Sequence, residues 1–411
     1  MAGRRRASRA GCSLVLLLAV LVGCGGGPTP DTASADVQRV LDRRAAAVLD
    51  RNESAYRATE EPSGSTPEFT RLRAVPLAAW SYRLTDLHRS GDRATAGAEL
   101  RYRIEGYDRA PVTAARTLRL VRAGGTWRVA SDVPAERASQ QLWEQGAVTV
   151  VRGAHSLVLG VGQSGERLRA YAGLADRAVP AVTDAWGADW TGHVVVLVPK
   201  SLEGMAGLLG APASGYRGIA AVTTGEVSEA KWGSPRSKTG GGTARAPADR
   251  IIVNPDAYGL LGDFGKQVVL THETTHVATR AHTTAATPLW LSEGFADWVG
   301  YRGSGRTATQ AAPELERAVL DGHVPAALPD DKDFGFAGDA ARLARAYEGG
   351  WMACRLIADH WGEVRLNEFY RAVGDHKKRA GAVEGALRDV LHTTSEKFTQ
   401  QWQAYLKAQL G

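Results

Sequence analysis

The 411-residue chain has little cysteine: three residues, Cys12, Cys24 and Cys354, too few for a disulfide-stapled scaffold. Lysine is equally scarce. Nine of the 50 basic residues are Lys, none before Lys200, which leaves 50 − 9 = 41 Arg. No apolar run reaches the ~20 residues that a membrane-spanning helix needs; the longest extends from Leu14 to Val22. There is no Gly-x-x-x-x-Gly-Lys loop, no Gly-x-Ser-x-Gly turn and no pair of Cys-x-x-Cys motifs. Common signatures of phosphate-loop hydrolases, serine hydrolases and cysteine-held zinc are therefore missing. No internal repeat is found. What is present, 44% hydrophobic and 23% charged residues with 47 Gly and 17 Pro, is the composition of a globular chain. Its length suits two or three domains.

Arg4, Arg5, Arg6 and Arg9 precede the short apolar run, the pattern of a secretory signal. The run ends in Leu21-Val22-Gly23-Cys24, which resembles the bacterial lipobox. That resemblance implies a signal peptide over 1–23, acylation of Cys24, a flexible tether over 24–33, and a location on the extracytoplasmic face of the bacterial cell membrane. The formal charge of +6 and the isoelectric point near 9.2 then lose most of their meaning. Four Arg and no acid leave with residues 1–23, so 6 − 4 = +2 is left, and no nucleic-acid partner is expected. Cys354 stands alone in an apolar context and reads as core.

The remaining pattern predicts an α+β protein in two units, 34–145 and 146–411. Val37, Val40, Leu41, Ala45, Val48 and Leu49 predict a helix within 36–58. Ala98, Leu100, Tyr102 and Ile104 alternate with charged residues, as Leu118 and Leu120 do, and Gly124-Gly125 turns the chain into Trp127-Arg128-Val129. A helix followed by such an antiparallel meander, over roughly 34–134, resembles the NTF2-like fold. It is read as a structural or binding module, because no convergent catalytic set stands in it. In the second unit, 156–160 and 193–198 read as strands bracketing a helix that Pro180 is expected to kink or break. Residues 233–249 read as an exposed loop, Ile251-Ile252-Val253 as a strand, and the rest, including 363–409, as mostly helical core stripes.

The chemistry is concentrated in Leu270-Thr-His-Glu-Thr-Thr-His276, inside a helix predicted over 265–280. On a helix, residues i and i+4 share a face, so His272 and His276 can offer two imidazole nitrogens to one Zn2+ ion. Glu273, beside the first of them, suits a general base acting on a water at the metal. Downstream stands Pro288-Leu-Trp-Leu-Ser-Glu-Gly-Phe-Ala-Asp-Trp. Together the two segments resemble the gluzincin metallopeptidases, and over roughly 150–411 the chain is similar to the small bacterial peptidase MA-like proteins.

The resemblance implies that Glu293 is the third zinc ligand. It also implies that Asp297, one helical turn later, holds the far N–H of a ligating His, an acceptor such a ligand requires. His282 is the rival third ligand. It completes His-Glu-x-x-His-x-x-Thr-x-x-His, one residue from the metzincin pattern, but Thr279 replaces the turn glycine and no Met-containing turn follows. Otherwise it is expected to face solvent. Ala346-Tyr-Glu-Gly-Gly-Trp351 resembles the Tyr-Glu-x-Gly segment of gluzincin aminopeptidases, which implies that Tyr347 donates to the reaction's oxyanion; the alternative is a half-buried helix aromatic. No Gly-x-Met-x-Asn stretch, which anchors a substrate amine in those aminopeptidases, is present. The resulting expectation is a lipid-anchored zinc endopeptidase acting on peptide or protein substrates. A non-catalytic envelope-binding lipoprotein with the same fold is the alternative.

Overall fold

The computed structural model describes residues 32–62, 67–225, 248–335 and 339–411. Cys24, the expected signal and nearly all of the tether lie outside them, as does most of the expected 233–249 loop. Among the described residues no helix is long and apolar enough to cross a membrane. The fold is α+β, with two sheets followed by a helical region.

The first unit opens with α1 (Ala33–Leu49), α2 (Glu53–Arg57) and α3 (Glu68–Leu72). The single helix expected within 36–58 is in fact two. Arg51 takes φ 54°, and the Asn52 side chain caps α2 by accepting the Ala55 N–H at 3.0 Å. A short polar side chain competing for backbone hydrogen bonds stops the first helix there. Strands β1 (Leu77–Ser90), β2 (Arg93–Ile104), β3 (Val112–Ala123) and β4 (Thr126–Pro134) follow as an antiparallel meander in that spatial order. The period-two residues Ala98, Leu100, Tyr102 and Ile104 all point inward, and α1 covers that face with Val37, Val40 and Leu41. Gly124 and Gly125, at φ 57° and 78°, supply the left-handed pair that a tight β3–β4 hairpin needs.

The second sheet has five strands: β5 (Val148–Arg152), β6 (Ser156–Val161), β7 (Val194–Val198), β8 (Ala221–Gly225) and β9 (Asp249–Val253). Their order is β5-β6-β7-β9-β8. β6, β7 and β9 run parallel, with β5 and β8 antiparallel at the edges. Every residue of β6 and β7 is buried, as expected for parallel strands covered on both faces. Alternate residues divide between those covers. Leu157, Leu159, Val195, Leu197 and Ile252 join the core of the first unit. Val158, Val194, Val196 and Ile251 pack instead on α4 (Gly165–Trp186). The hydrophobic core is thus continuous from α1 to β9. A buried bidentate pair spans the same junction: Arg250 of β9 donates to both Asp108 oxygens, at 2.7 and 2.8 Å, and Asp108 also accepts the Ile104 N–H.

Pro180 does not break α4, which runs unbroken for 22 residues. It removes one hydrogen bond near the C-terminal end, while Ala175, Val179 and Val182 keep the buried stripe in phase. After β7 and α5 (Leu202–Leu209), the chain crosses β8 and β9 to α6 (Pro255–Gly259), α7 (Asp263–Thr279) and α8 (Leu289–Tyr301). Then come α9 (Ala308–Ala311), α10 (Pro313–Leu320), α11 (Ala340–Trp361), α12 (Glu363–Gly374), α13 (Ala382–Asp389) and α14 (Ser395–Leu410). Cys354 is a free, fully buried thiol on α11.

Helices α8 and α11 cross in backbone contact. A Cβ on Gly294 would overlap the Gly350 backbone, and one on Gly350 would stand 2.6 Å from the Trp290 carbonyl oxygen. Only glycine fits at this crossing.

Candidate metal centre and cleft

Helix α7 carries His272, Glu273 and His276 on its third and fourth turns and is enclosed by α4, β8 and α8. Its other positions are small or hydroxylated. Thr271, Thr274, Thr275 and Thr279 are buried, and Thr275 returns its hydroxyl to the Thr271 carbonyl at 2.8 Å. That composition lets the helix be buried on several sides while its two imidazoles share one face.

Helix α8 brings Glu293 to the same point. The Nε2 atoms of His272 and His276 are 3.0 Å apart, and Glu293 Oε2 lies 3.3 Å from the first and 3.4 Å from the second. Two ligand atoms 2.0–2.1 Å from a tetrahedral zinc ion stand about 3.3–3.4 Å apart. The triangle therefore has the size that such an ion requires. Asp297 accepts from His272 Nδ1 at 2.7 Å, which fixes the ring so that Nε2 is the nitrogen turned to the other two donors. Chemistry and spacing of these donors fit Zn2+.

The electrostatics point the same way. Burial would push the His272 imidazole down, but the Asp297 and Glu293 carboxylates override it and hold it well above its ordinary value. Burial would push the Glu293 carboxyl up, yet the two imidazoles keep it below the usual carboxylate range. A pocket of this kind concentrates negative charge and lone pairs where a cation would relieve both.

Glu273 is buried and points to the edge strand β8, where Thr223 donates its hydroxyl to Glu273 Oε2 at 2.6 Å. Sequence reading missed β8 and Thr223; the trace available was the short β-branched run Val222-Thr223-Thr224. Tyr347 stands on α11 with its ring 6.5 Å from that of His272 and 5.1 Å from that of Phe334. Burial, then the carboxylates of Glu293, Asp297 and Glu273, push its phenol well above the ordinary value, so it is a neutral donor near pH 7. Its neighbour Glu348, also missed, accepts the Glu314 and Leu315 N–H groups at 3.3 and 2.6 Å at the start of α10.

His282 stands outside this group of donor atoms. It is not solvent-facing either. Its ring packs edge-on against Trp186 at 5.6 Å, and its Nε2 lies 3.3 Å from Asp189 and 2.7 Å from Arg371. The chain turns at Thr279 and carries it away from α8.

The cluster opens into a cleft of about 2020 Å³. Glu273, Tyr347 and the β8 edge line one side, while Tyr102, Val112 and Gln141 of the first unit line the other.

No protein-family profile matches the chain, and no curated protein does. Among solved structures it is similar to a two-domain M1 zinc metallopeptidase variant bound to L-arginine, at 12% identity and TM-score 0.34. That overlay covers 82% of this chain and 63% of the other, so less than two thirds of that protein's length is spanned. An M1 zinc metallopeptidase variant from Deinococcus radiodurans, bound to a Tyr-Ser-Ala substrate, is similar at 13% identity and TM-score 0.32, covering 81% of this chain and 70% of that one. A protein of unknown function from Mycobacterium tuberculosis is similar over 26% of this chain and 72% of its own, at 15% identity and TM-score 0.22. At these TM-scores the likenesses assign no role to any residue here.

Proposed function

We propose that this chain is a zinc-dependent peptidase. His272, His276 and Glu293 hold the ion, Glu273 is the general base, and the first unit is an NTF2-like module. The observation that carries this reading is the triangle of three donor atoms with Asp297 behind one His and Glu273 beside it. When bound, zinc supplies Lewis acidity and lowers the pKa of water in its open position. The chain's own groups do the rest. Strand β8, at the edge of its sheet among the described residues, offers backbone groups to an extended peptide. Glu273 takes the proton of the attacking water and delivers it to the leaving amine. Tyr347 donates its phenolic proton as a hydrogen bond to the carbonyl oxygen as charge develops there. An intact, hydrogen-bonded Glu273 favours turnover over a binding protein that has kept only the fold.

Metal analysis of the full chain is expected to give about one zinc per molecule, lost in His276→Ala. Glu273→Gln should keep the metal and lose chelator-sensitive cleavage of a peptide library; cleavage persisting in that variant removes Glu273 from the mechanism. The lipid anchor at Cys24 is proposed on the lipobox resemblance alone. Cys24→Ser should move the protein from the membrane fraction to the soluble one.

A further inference from the structure

Almost every charged side chain lining the cleft has a partner. Glu99 pairs with Arg83 at 2.6 Å, Arg250 with Asp108, and Arg137 has Glu136 at 3.8 Å. Glu273 takes the Thr223 hydroxyl, Glu293 and Asp297 face the imidazoles, and Glu348 is held by two backbone N–H groups. The exception is Arg217. It is exposed in the cleft wall and makes no hydrogen bond or ion pair among the described residues.

The turn that presents it is held from below. Tyr216 to Ile219 close a turn through the Ile219 N–H and the Tyr216 carbonyl at 3.1 Å, with Arg217 and Gly218 at its tip. Asn254 is fully buried at the end of β9, and its Nδ2 donates to both carbonyls that bound the turn, Tyr216 at 3.0 Å and Ile219 at 2.9 Å. The Asn254 N–H bonds the Ala220 carbonyl at 2.9 Å. The turn is open on either side of Arg217: a Cβ at Gly215 or Gly218 would meet nothing within 4 Å. The next residue, Ala221, begins the strand whose Thr223 holds Glu273. Thr223 stands six positions after Arg217, a span of at most about 22 Å, or about six extended substrate residues.

We propose that Arg217 reads a carboxylate of the bound peptide a few residues from the bond cleaved, either an Asp or Glu side chain or a free C-terminus. This rests on the peptidase reading. A permanently charged planar fork with no partner among the described residues is matched by a carboxylate, which it can bind through two parallel hydrogen bonds. The buried Asn254 clamp lowers the entropy lost on binding, because the turn is already ordered.

The test is a set of matched peptides with Glu, Gln or Lys at each position around the cut, each with a free or amidated C-terminus, digested by the full zinc-loaded chain. The expected result is about a tenfold preference in kcat/KM for Glu over Gln at one position, or for the free terminus over the amide, depending on which carboxylate is read. Arg217→Ala should erase that ratio, Arg217→Lys keep part of it, and Arg217→Glu turn it towards Lys peptides. No preference in the wild type, or one that survives Arg217→Ala, overturns the proposal. Failure to cleave any peptide overturns the peptidase reading instead. Fluorescence anisotropy of labelled Glu and Gln peptides on wild type and Arg217→Ala then decides the role of Arg217, and equal affinities in all four pairs reject it.

Discussion

The Nδ1 atom of His272 lies 2.7 Å from Oδ1 of Asp297, and an ionised carboxylate can only accept. Nδ1 therefore carries a proton, and Nε2, the atom 3.3 Å from Glu293, is the nitrogen left to face the other two donors. Asp297→Ala should weaken zinc affinity about 10–100-fold through loss of this orientation. Competition against a coloured chelator measures it, and an unchanged affinity would remove Asp297 from the site.

Thr223 holds Glu273 Oε2 at 2.6 Å from a different element. Thr223→Val should lower kcat about tenfold, the value of one hydrogen bond to a charged group, with little change in KM. A change confined to KM would place Thr223 among substrate contacts instead.

Tyr347→Phe is expected to keep zinc and KM and to lose about a hundredfold or more in kcat, as when one oxyanion donor is removed. The buried phenol is pushed well above its ordinary value, so the wild-type rate should show no alkaline decline from this group below pH 10. Wild-type kcat in the Phe variant would leave Tyr347 a packing residue beside Phe334.

Burial lifts the Glu348 carboxyl from its ordinary 4.5 to about 7, against the pull of two backbone N–H groups. A raised folded pKa means that the native state binds the proton more tightly than the unfolded one. Its contribution to stability is complete below about pH 4.5 and is lost as the pH rises through about 7. Glu348→Gln should therefore gain in Tm relative to wild type between pH 5 and pH 8, and thermal melts at both values check it. A constant difference would mean that Glu348 does not titrate in this range.

Arg250 and Asp108 are both buried, with side chains 2% and 0% exposed. Asp108→Asn removes the buried carboxylate that both Arg250 terminal nitrogens reach and should cost about 3–5 kcal/mol, read from denaturant midpoints. Asp36→Asn, which disturbs the exposed Arg39 pair, should cost under about 1 kcal/mol. Similar costs for the two would contradict a core that joins both units.

Much of the fold was legible because periodicity reports burial directly. The inward residues of β2, the apolar strands β6 and β7, and most of the stripes of α12 to α14 stand where their patterns placed them, although Val364 at the start of α12 is exposed. Helix breaks were less legible. Asn52 stopped a helix that apolar spacing would have continued, because its local cap is independent of that spacing; Pro180 failed to stop one, because the buried stripe around it is settled by tertiary packing. The His pair could be read from i,i+4 spacing on one helix, and Glu293 was implied by a motif. Thr223, Glu348 and Arg217 could not be read in this way. Thr223 and Glu348 bond to residues far away in the sequence, Arg217 stands exposed in a loop, and none belongs to a periodic run.

Gly294 follows Glu293 directly, and Gly350 comes three residues after Tyr347. Because neither glycine can gain even a methyl group without driving α8 and α11 apart, the two helices meet as rods notched into each other. The notch acts as a gauge that sets the span between the Glu293 carboxylate and the Tyr347 phenol. The spacing of these two side chains is thus set by backbone thickness at one joint, before any rotamer is chosen.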